Sequence, residues 1–212
     1  MFWVGGTWIC RFLNSCLRFS AWSLVLNPAG RHYHVLKSHM SSSYEDTYFG
    51  EDAIYMERNS RNFRGRIKVI DSNTEAVCEF LRSRSVMGCG GAHAAIKEVF
   101  YPKWTCRENY ERCRTKDGGF GGLFSLTFIS DAASHAFFDA LPCHKGPSLG
   151  TNFTLACPYT ILGHYGELDW AAQYGVERGL VRVSVGMEDK GILLEEFGIA
   201  LKAAEATITF ST

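Results

Sequence analysis

The residues best suited to chemistry lie near the end of the chain. Leu180-Val181-Arg182-Val183-Ser184-Val185 is a β-type run in which Arg182 stands between two β-branched residues. On a strand, that alternation turns Arg182 to the face opposite Val181 and Val183. A guanidinium held there offers a rigid fork of N–H donors, which matches a carboxylate bidentately. The same residue at a sheet edge would make an ordinary surface ion pair, and the strand alone leaves both readings open. Upstream, Gly146-Pro147-Ser148-Leu149-Gly150 has the residue types of a tight turn, with Ser148 as its polar side chain.

Other chemistries find less support. The eight cysteines stand at positions 10, 16, 78, 89, 106, 113, 143 and 157, and no Cys-x-x-Cys pair occurs among them. Cys89 and His93 would share a helix face, but two ligands do not make a tetrahedral site, so no metal is expected. Gly118-Gly119-Phe120-Gly121-Gly122 lacks the Lys-Ser/Thr pair of a phosphate-binding loop, since Leu123-Phe124 follow it. It also puts Gly122 where an RNA-binding strand needs a stacking aromatic. What remains is the start of a strand where backbones approach closely. His135, His144 and His164 have no Ser or Cys partner at a nucleophile–base spacing, and the side chains of adjacent Cys143 and His144 diverge.

The 22 basic and 22 acidic residues cancel, which removes the general electrostatic case for nucleic acid or an anionic membrane as a partner. A hydrophobic fraction of 46% with 21% charged residues is that of an ordinary globular chain. Residues 1–22 read differently: three Trp, Arg11, Arg18 and no acid, the first acid of the chain being Glu45. This segment is either transit-like or a foreign start. The two arginines interrupt its apolar run and argue against a membrane span.

Leu24 to Gly30 reads as a short strand closed by a Pro/Gly turn. Arg31 to Ser43 reads as a helix with Tyr33, Leu36 and Met40 on one side. Asp52 to Arg84 is expected to be mostly helical, with a break near Gly65 or Asp71-Ser72-Asn73 and with Asp71 or Asn73 as a cap. Its expected buried set is Ile54, Phe63, Ile67, Ile70, Val77, Phe80 and Leu81. Glu98 to Pro102 reads as a strand and Trp104 to Arg114 as helical. Leu123 to Ile129 is a strand, Ser130 to Leu141 a helix with Ala133, Phe137, Phe138 and Leu141 inward, and Leu180 to Val185 a strand. Asp189 to Ala204 closes the series as an amphipathic helix carrying Leu193, Leu194, Phe197, Leu201 and Ala204. Strands alternating with helices over a small sheet define an α/β or α+β fold.

Several spaced motifs then appear in order: Tyr44-Glu-Asp-Thr-Tyr-Phe49 with Glu57-Arg-Asn-Ser-Arg61, Ser148-Leu149-Gly150, Leu149 to Trp170, and Leu180-Val-Arg182 with Ser184, Gly186, Glu188 and Asp189. Together they resemble the Cys/Met metabolism family of pyridoxal-phosphate (PLP) enzymes, and within it the C-terminal part of fungal-type cystathionine γ-synthase. The resemblance runs from about Ser23 to Ala204.

It implies fold type I, with residues 23–60 a remnant of the large PLP domain and its linker, and residues 61–212 the C-terminal small domain. It implies PLP as cofactor, an amino-acid substrate, Arg182 as the clamp on its α-carboxylate, and Ser148 at the mouth of the same pocket. The implied reaction is γ-replacement on an activated homoserine with cysteine, in transsulfuration and methionine biosynthesis. The implied full-length assembly is a homo-oligomer, cytoplasmic, or mitochondrial should residues 1–22 be a transit peptide. The family's cofactor lysine belongs upstream of the matched motifs, whereas the first lysine here is Lys37, which follows the Asn27-Pro28 turn and is not that residue. The expectation is a chain that is not competent alone, or else a non-catalytic interaction module.

Overall fold

The computed structural model describes residues 2–4, 7–13, 20–88 and 94–208. The Cys89–His93 pair lies outside them. Two compact units divide between Phe63 and Arg64.

The first unit holds three antiparallel strands in the order β1 (Phe2–Val4), β2 (Thr7–Leu13) and β3 (Ser20–Leu26). Most of the segment read as a leader or foreign start is therefore strand. An Asx turn follows: Asn27 Oδ1 accepts from the Ala29 N–H at 3.0 Å, and Asn27 O accepts from Gly30 N–H at 3.0 Å. Helices α1 (Tyr33–Ser43) and α2 (Gly50–Ser60) come next, and neither buries a residue. Lys37 lies on α1, its amine over the Tyr33 ring.

The helical stretch expected over residues 52–84, which begins in the first unit and ends in the second, differs from expectation in three ways. The break falls at Arg61-Asn62, ahead of α3 (Phe63–Arg82), and Gly65 and Asp71-Asn73 lie inside the continuous helix. Ile54 on α2, and Phe63 and Ile67 on α3, are about half exposed, at 52%, 51% and 47%. The buried stripe of α3 is instead Ile70, Asn73, Thr74, Val77, Cys78 and Leu81, a helical i, i+3, i+4, i+7 pattern that includes two polar residues. Asp71 and Asn73 cap nothing; both reach across to other elements.

The rest follows as β4 (Ile96–Phe100), α4 (Arg107–Glu111), β5 (Leu123–Phe128), α5 (Asp131–Ala140), β6 (His144–Lys145), β7 (Leu155–Pro158), α6 (Tyr159–His164), α7 (Leu168–Ala172), β8 (Val181–Ser184) and α8 (Lys190–Glu205). The strands form one mixed sheet in the order β4-β5-β8-β7-β6, antiparallel except for β6 beside β7. Helices flank this sheet, an α/β arrangement.

The core lies on one face of the sheet. Phe124, Leu126, Val181, Val183 and Ala156 meet Phe137 of α5 and Leu193, Phe197 and Leu201 of α8, all nearly inaccessible to solvent. Helix α5 begins where Ser130 Oγ accepts from Ala133 N–H, and α8 where Asp189 accepts from Gly191 and Ile192 N–H. The glycine run before β5 is a packing feature. A Cβ on Gly119 would fall 2.4 Å from Asp71 Cγ, and one on Gly122 would fall 2.4 Å from Ile70 Cγ2. No helix among the described residues is long and apolar enough to cross a membrane.

Candidate functional site

β8 runs through the middle of the sheet, hydrogen-bonded to β5 on one side and β7 on the other. Val181 and Val183 point into the core at 1% and 0% exposure, so Arg182 stands on the opposite face. Register sets its neighbours: Ser125 on β5 and Cys157 on β7 lie directly across from it. One step along, Ser184 lies between Leu123 and Leu155 on that same face.

The guanidinium of Arg182 is held from two directions. Its Nη2 donates to the carbonyl of Pro147 at 2.6 Å, and its Cζ sits 4.6 Å from the centroid of the Tyr159 ring. Its Nε is buried and meets no acceptor in good hydrogen-bond geometry, although the guanidinium makes a side-chain interaction with the Cys157 thiol across from it. A buried donor without a well-formed hydrogen bond costs about 1–3 kcal/mol, a cost the Cys157 thiol beside it offsets only weakly. Burial pushes the Cys157 thiol above its ordinary value, and the neighbouring Arg182 guanidinium opposes that rise.

The Gly146–Gly150 turn is anchored to the same strand, because Ser184 Oγ accepts from the Gly150 N–H at 3.1 Å. Ser148 is thereby set beside Pro147, the residue that Arg182 engages, with its own side chain exposed to solvent. The residues after β8 are pinned as tightly. Glu188 accepts from the Thr154 N–H at 2.5 Å and from Thr154 Oγ1 at 2.9 Å, and Thr154 Oγ1 accepts from the Gly186 N–H at 3.0 Å. The Met187 N–H reaches Asn152 O at 2.8 Å. β8 and the turn facing it thus form one hydrogen-bonded frame.

The sequence nominated Arg182 and Ser148; around Arg182 the structure sets Pro147, Cys157, Tyr159 and Ser184, to none of which sequence reasoning gave a site role of its own. Ser184 had a signal, since it is two residues from Arg182 on a strand and so shares its face. The other three depend on the β7–β8 register and on the path of the turn, which no local pattern encodes.

PLP chemistry needs a lysine amine, an acid for the ring nitrogen and donors for the phosphate. The paired positions on the Arg182 face are Leu123, Ser125, Ser184, Leu155 and Cys157, with neither a lysine nor an acid among them. Lysines with assigned partners are engaged elsewhere. Lys97 pairs with Glu177, Lys103 with Glu75 and Glu79, and Lys190 with Ser72. Lys145 donates to the Phe138 and Leu141 carbonyls at the end of α5, and burial lowers its amine below the usual lysine range. The residues around Arg182 fit a carboxylate and do not fit the cofactor's aldehyde. Among the described residues no group of three or more potential metal ligands comes together.

A mixed sheet flanked by helices is an α/β architecture that matches part of a PLP enzyme of fold type I. Residues 39–202 match the Cys/Met metabolism PLP-dependent enzyme family, and the chain belongs to that family. It is 61% identical over 196 residues to the cystathionine gamma-synthase-like enzyme iboG2 of Amanita muscaria, covering 86% of this chain and 31% of that protein. It is 47% identical over 182 residues to cystathionine gamma-synthase of Neurospora crassa, covering 85% and 28%.

Among solved structures it resembles cystathionine gamma synthase from Xanthomonas oryzae pv. oryzae in complex with cystathionine. The TM-score is 0.62 at 28% identity, over 74% of this chain and 39% of that one. The chain therefore spans about a third of the length of the curated relatives it matches. PLP is the cofactor of the family.

Proposed function

We propose that residues 61–212 form the substrate-carboxylate side of a PLP-dependent site of the cystathionine γ-synthase type, with residues 23–60 the end of the large cofactor domain and its linker. The reaction is γ-replacement: an activated homoserine ester loses its acyl group and the thiol of cysteine takes its place, a step of transsulfuration and methionine biosynthesis. Arg182 binds the α-carboxylate, and Ser148 lines the mouth of the pocket. When bound, the cofactor would supply the electron sink for that replacement. The residues of this chain bind and orient the amino acid. The 212-residue chain is not competent by itself, the Schiff-base lysine belonging to the part of the family's site outside the matched motifs. The full-length enzyme is a homo-oligomer of the cytoplasm, or of mitochondria if residues 1–22 act as a transit peptide. No specific observation favours a non-catalytic interaction module.

The observation that carries this reading is the placing of Arg182 in mid-sheet on the face away from the core, with its guanidinium tethered through Nη2 to the Pro147 carbonyl at the exposed turn. The presence of cystathionine, an amino acid with two α-carboxylates, in the solved relative agrees with it. Titration of the chain with L-cystathionine, followed by NMR, tests it. Charge-assisted hydrogen bonds of about 1.5–3 kcal/mol predict that Arg182→Ala weakens binding by about ten- to a hundredfold. Equal binding by the variant would remove Arg182 from the site.

A further inference from the structure

We infer that Tyr159 is a positioning residue for the carboxylate clamp: its ring sets the orientation of the Arg182 guanidinium. The inference rests on the reading of Arg182 given above.

The geometry is specific. With Nη2 on the Pro147 carbonyl and only the soft Cys157 thiol as a further hydrogen-bonding neighbour, the guanidinium lacks a second well-formed hydrogen bond to fix its plane. The Tyr159 ring, 4.6 Å from Cζ, supplies the second constraint. Aromatic faces attract guanidinium groups, and the attraction grows as water is excluded.

The ring is itself fixed. The Tyr159 N–H donates to Leu180 O at 3.1 Å, which ties the backbone of Tyr159 to the residue two before Arg182. Its neighbour Pro158 pairs with Val181 in the β7–β8 register. His164 packs edge-on against the ring at 5.8 Å between centroids, with its Nδ1 2.7 Å from Glu167 Oε1. The platform and the clamp therefore belong to one tethered unit.

Immobilising a free arginine costs rotamer entropy on binding. A clamp already held against a ring avoids much of that cost, which is how preorganisation improves affinity.

The test uses the whole 212-residue chain, 15N-labelled at arginine, with L-cystathionine as probe. The Arg182 Hε signal is assigned by its loss in Arg182→Lys. Seated over the ring, Hε is expected upfield of its position in free arginine. Tyr159→Phe keeps the shift and the affinity, and Tyr159→Trp enlarges the shift. Tyr159→Leu abolishes it and weakens cystathionine binding by about two- to fivefold.

A ring that merely neighbours Arg182 would give the same order of shifts, so the positioning role is read from the loss of affinity that accompanies loss of the shift in Tyr159→Leu. Tyr159→Leu that retains both the shift and the affinity overturns the inference while leaving the clamp intact. Failure of the unaltered chain to bind cystathionine, with the ring-dependent shift still present, instead overturns the clamp reading and the inference with it. Should Tyr159→Leu not fold, the Phe and Trp variants decide: an Hε shift identical in both overturns the inference.

Discussion

Asn73, in the middle of α3, donates its side-chain amide to the backbone carbonyl of Glu188, 115 residues further along the chain, at 2.9 Å. The same nitrogen lies 3.3 Å from the Gly186 carbonyl. One buried side chain thus ties the long helix to the segment that follows the clamp strand, and two carbonyls depend on it.

Removing that amide leaves both carbonyls short of a donor in a site where Asn73 is only 3% exposed. Asn73→Ala is expected to destabilise the chain by about 1–3 kcal/mol, the cost of unsatisfied buried polar groups. Asn73→Asp, which would turn a carboxylate toward carbonyl oxygens, should cost more. Urea denaturation of the two variants against the parent checks the order. A neutral Asn73→Ala would mean that the two carbonyls find other donors.

Glycine substitutions separate close packing from mere flexibility. A Cβ on Gly186 would lie 2.4 Å from Phe153 Cα and 2.6 Å from Asn152 O, both backbone atoms that a side-chain rotation cannot clear. Gly186→Ala should therefore push the 152–154 segment away and lose about 1–3 kcal/mol, the usual cost of overpacking. Gly65, inside α3, has nothing within 4 Å of its added Cβ. Gly65→Ala should stabilise by about 0.5–1 kcal/mol, through helix propensity alone. Thermal melts of the pair should move in opposite directions.

Much of this fold was legible because buried side chains repeat with the period of the element that carries them. β5, β8, α5 and α8 each showed alternation or helical spacing; of the inward residues expected on α5 and α8, Ala133, Phe137, Leu141, Leu193, Phe197, Leu201 and Ala204 are buried, and Phe138 and Leu194 are partly so. The same logic misled at Ile54, Phe63 and Ile67. Apolar residues at helical spacing show that a face is apolar, not that anything within the chain covers it. Asp71 and Asn73 have the residue types of helix caps, but each bonds a distant backbone group: Asp71 takes the Gly121 N–H at 3.0 Å, and Asn73 the carbonyls beyond β8. β7 was missed because four residues ending in proline carry no period. With it went the register that sets Cys157 and Tyr159 against Arg182.

Asp71 offers a pH test. Burial raises its carboxyl above the ordinary value of 3.8, while hydrogen bonds from Gly121 and Gly119 act against the rise. A carboxyl with a higher value folded than unfolded binds its proton more tightly in the folded state. Its contribution to stability is then full below the ordinary carboxylate range and is lost as pH rises through the elevated folded value. Asp71→Asn keeps an acceptor for the Gly121 N–H and removes the charge. The stability of the variant relative to the parent should therefore rise with pH from about the unfolded value of 3.8 upward. A difference that stays constant from pH 3 to neutrality, or that falls, would contradict the burial of this carboxyl; matched urea curves across the pH series measure it.

The final prediction concerns the cofactor. The paired positions flanking Arg182 carry no lysine, so PLP added to the 212-residue chain should form no single Schiff base there. Borohydride trapping followed by peptide mapping should give low, scattered labelling of exposed amines, with no absorbance band of a defined protein aldimine. Lys145 is the sharpest control. Burial lowers its amine, which raises the neutral, nucleophilic fraction at a given pH. Its amine is also held by the carbonyls of Phe138 and Leu141 and would have to leave them to react. Stoichiometric labelling at Lys145 would mean that those contacts yield to the cofactor. The division between a carboxylate-binding part and a separate lysine-bearing part would then have to be abandoned. Lys145→Met distinguishes the two cases: it should leave scattered labelling unchanged, whereas a true anchor would lose its adduct entirely.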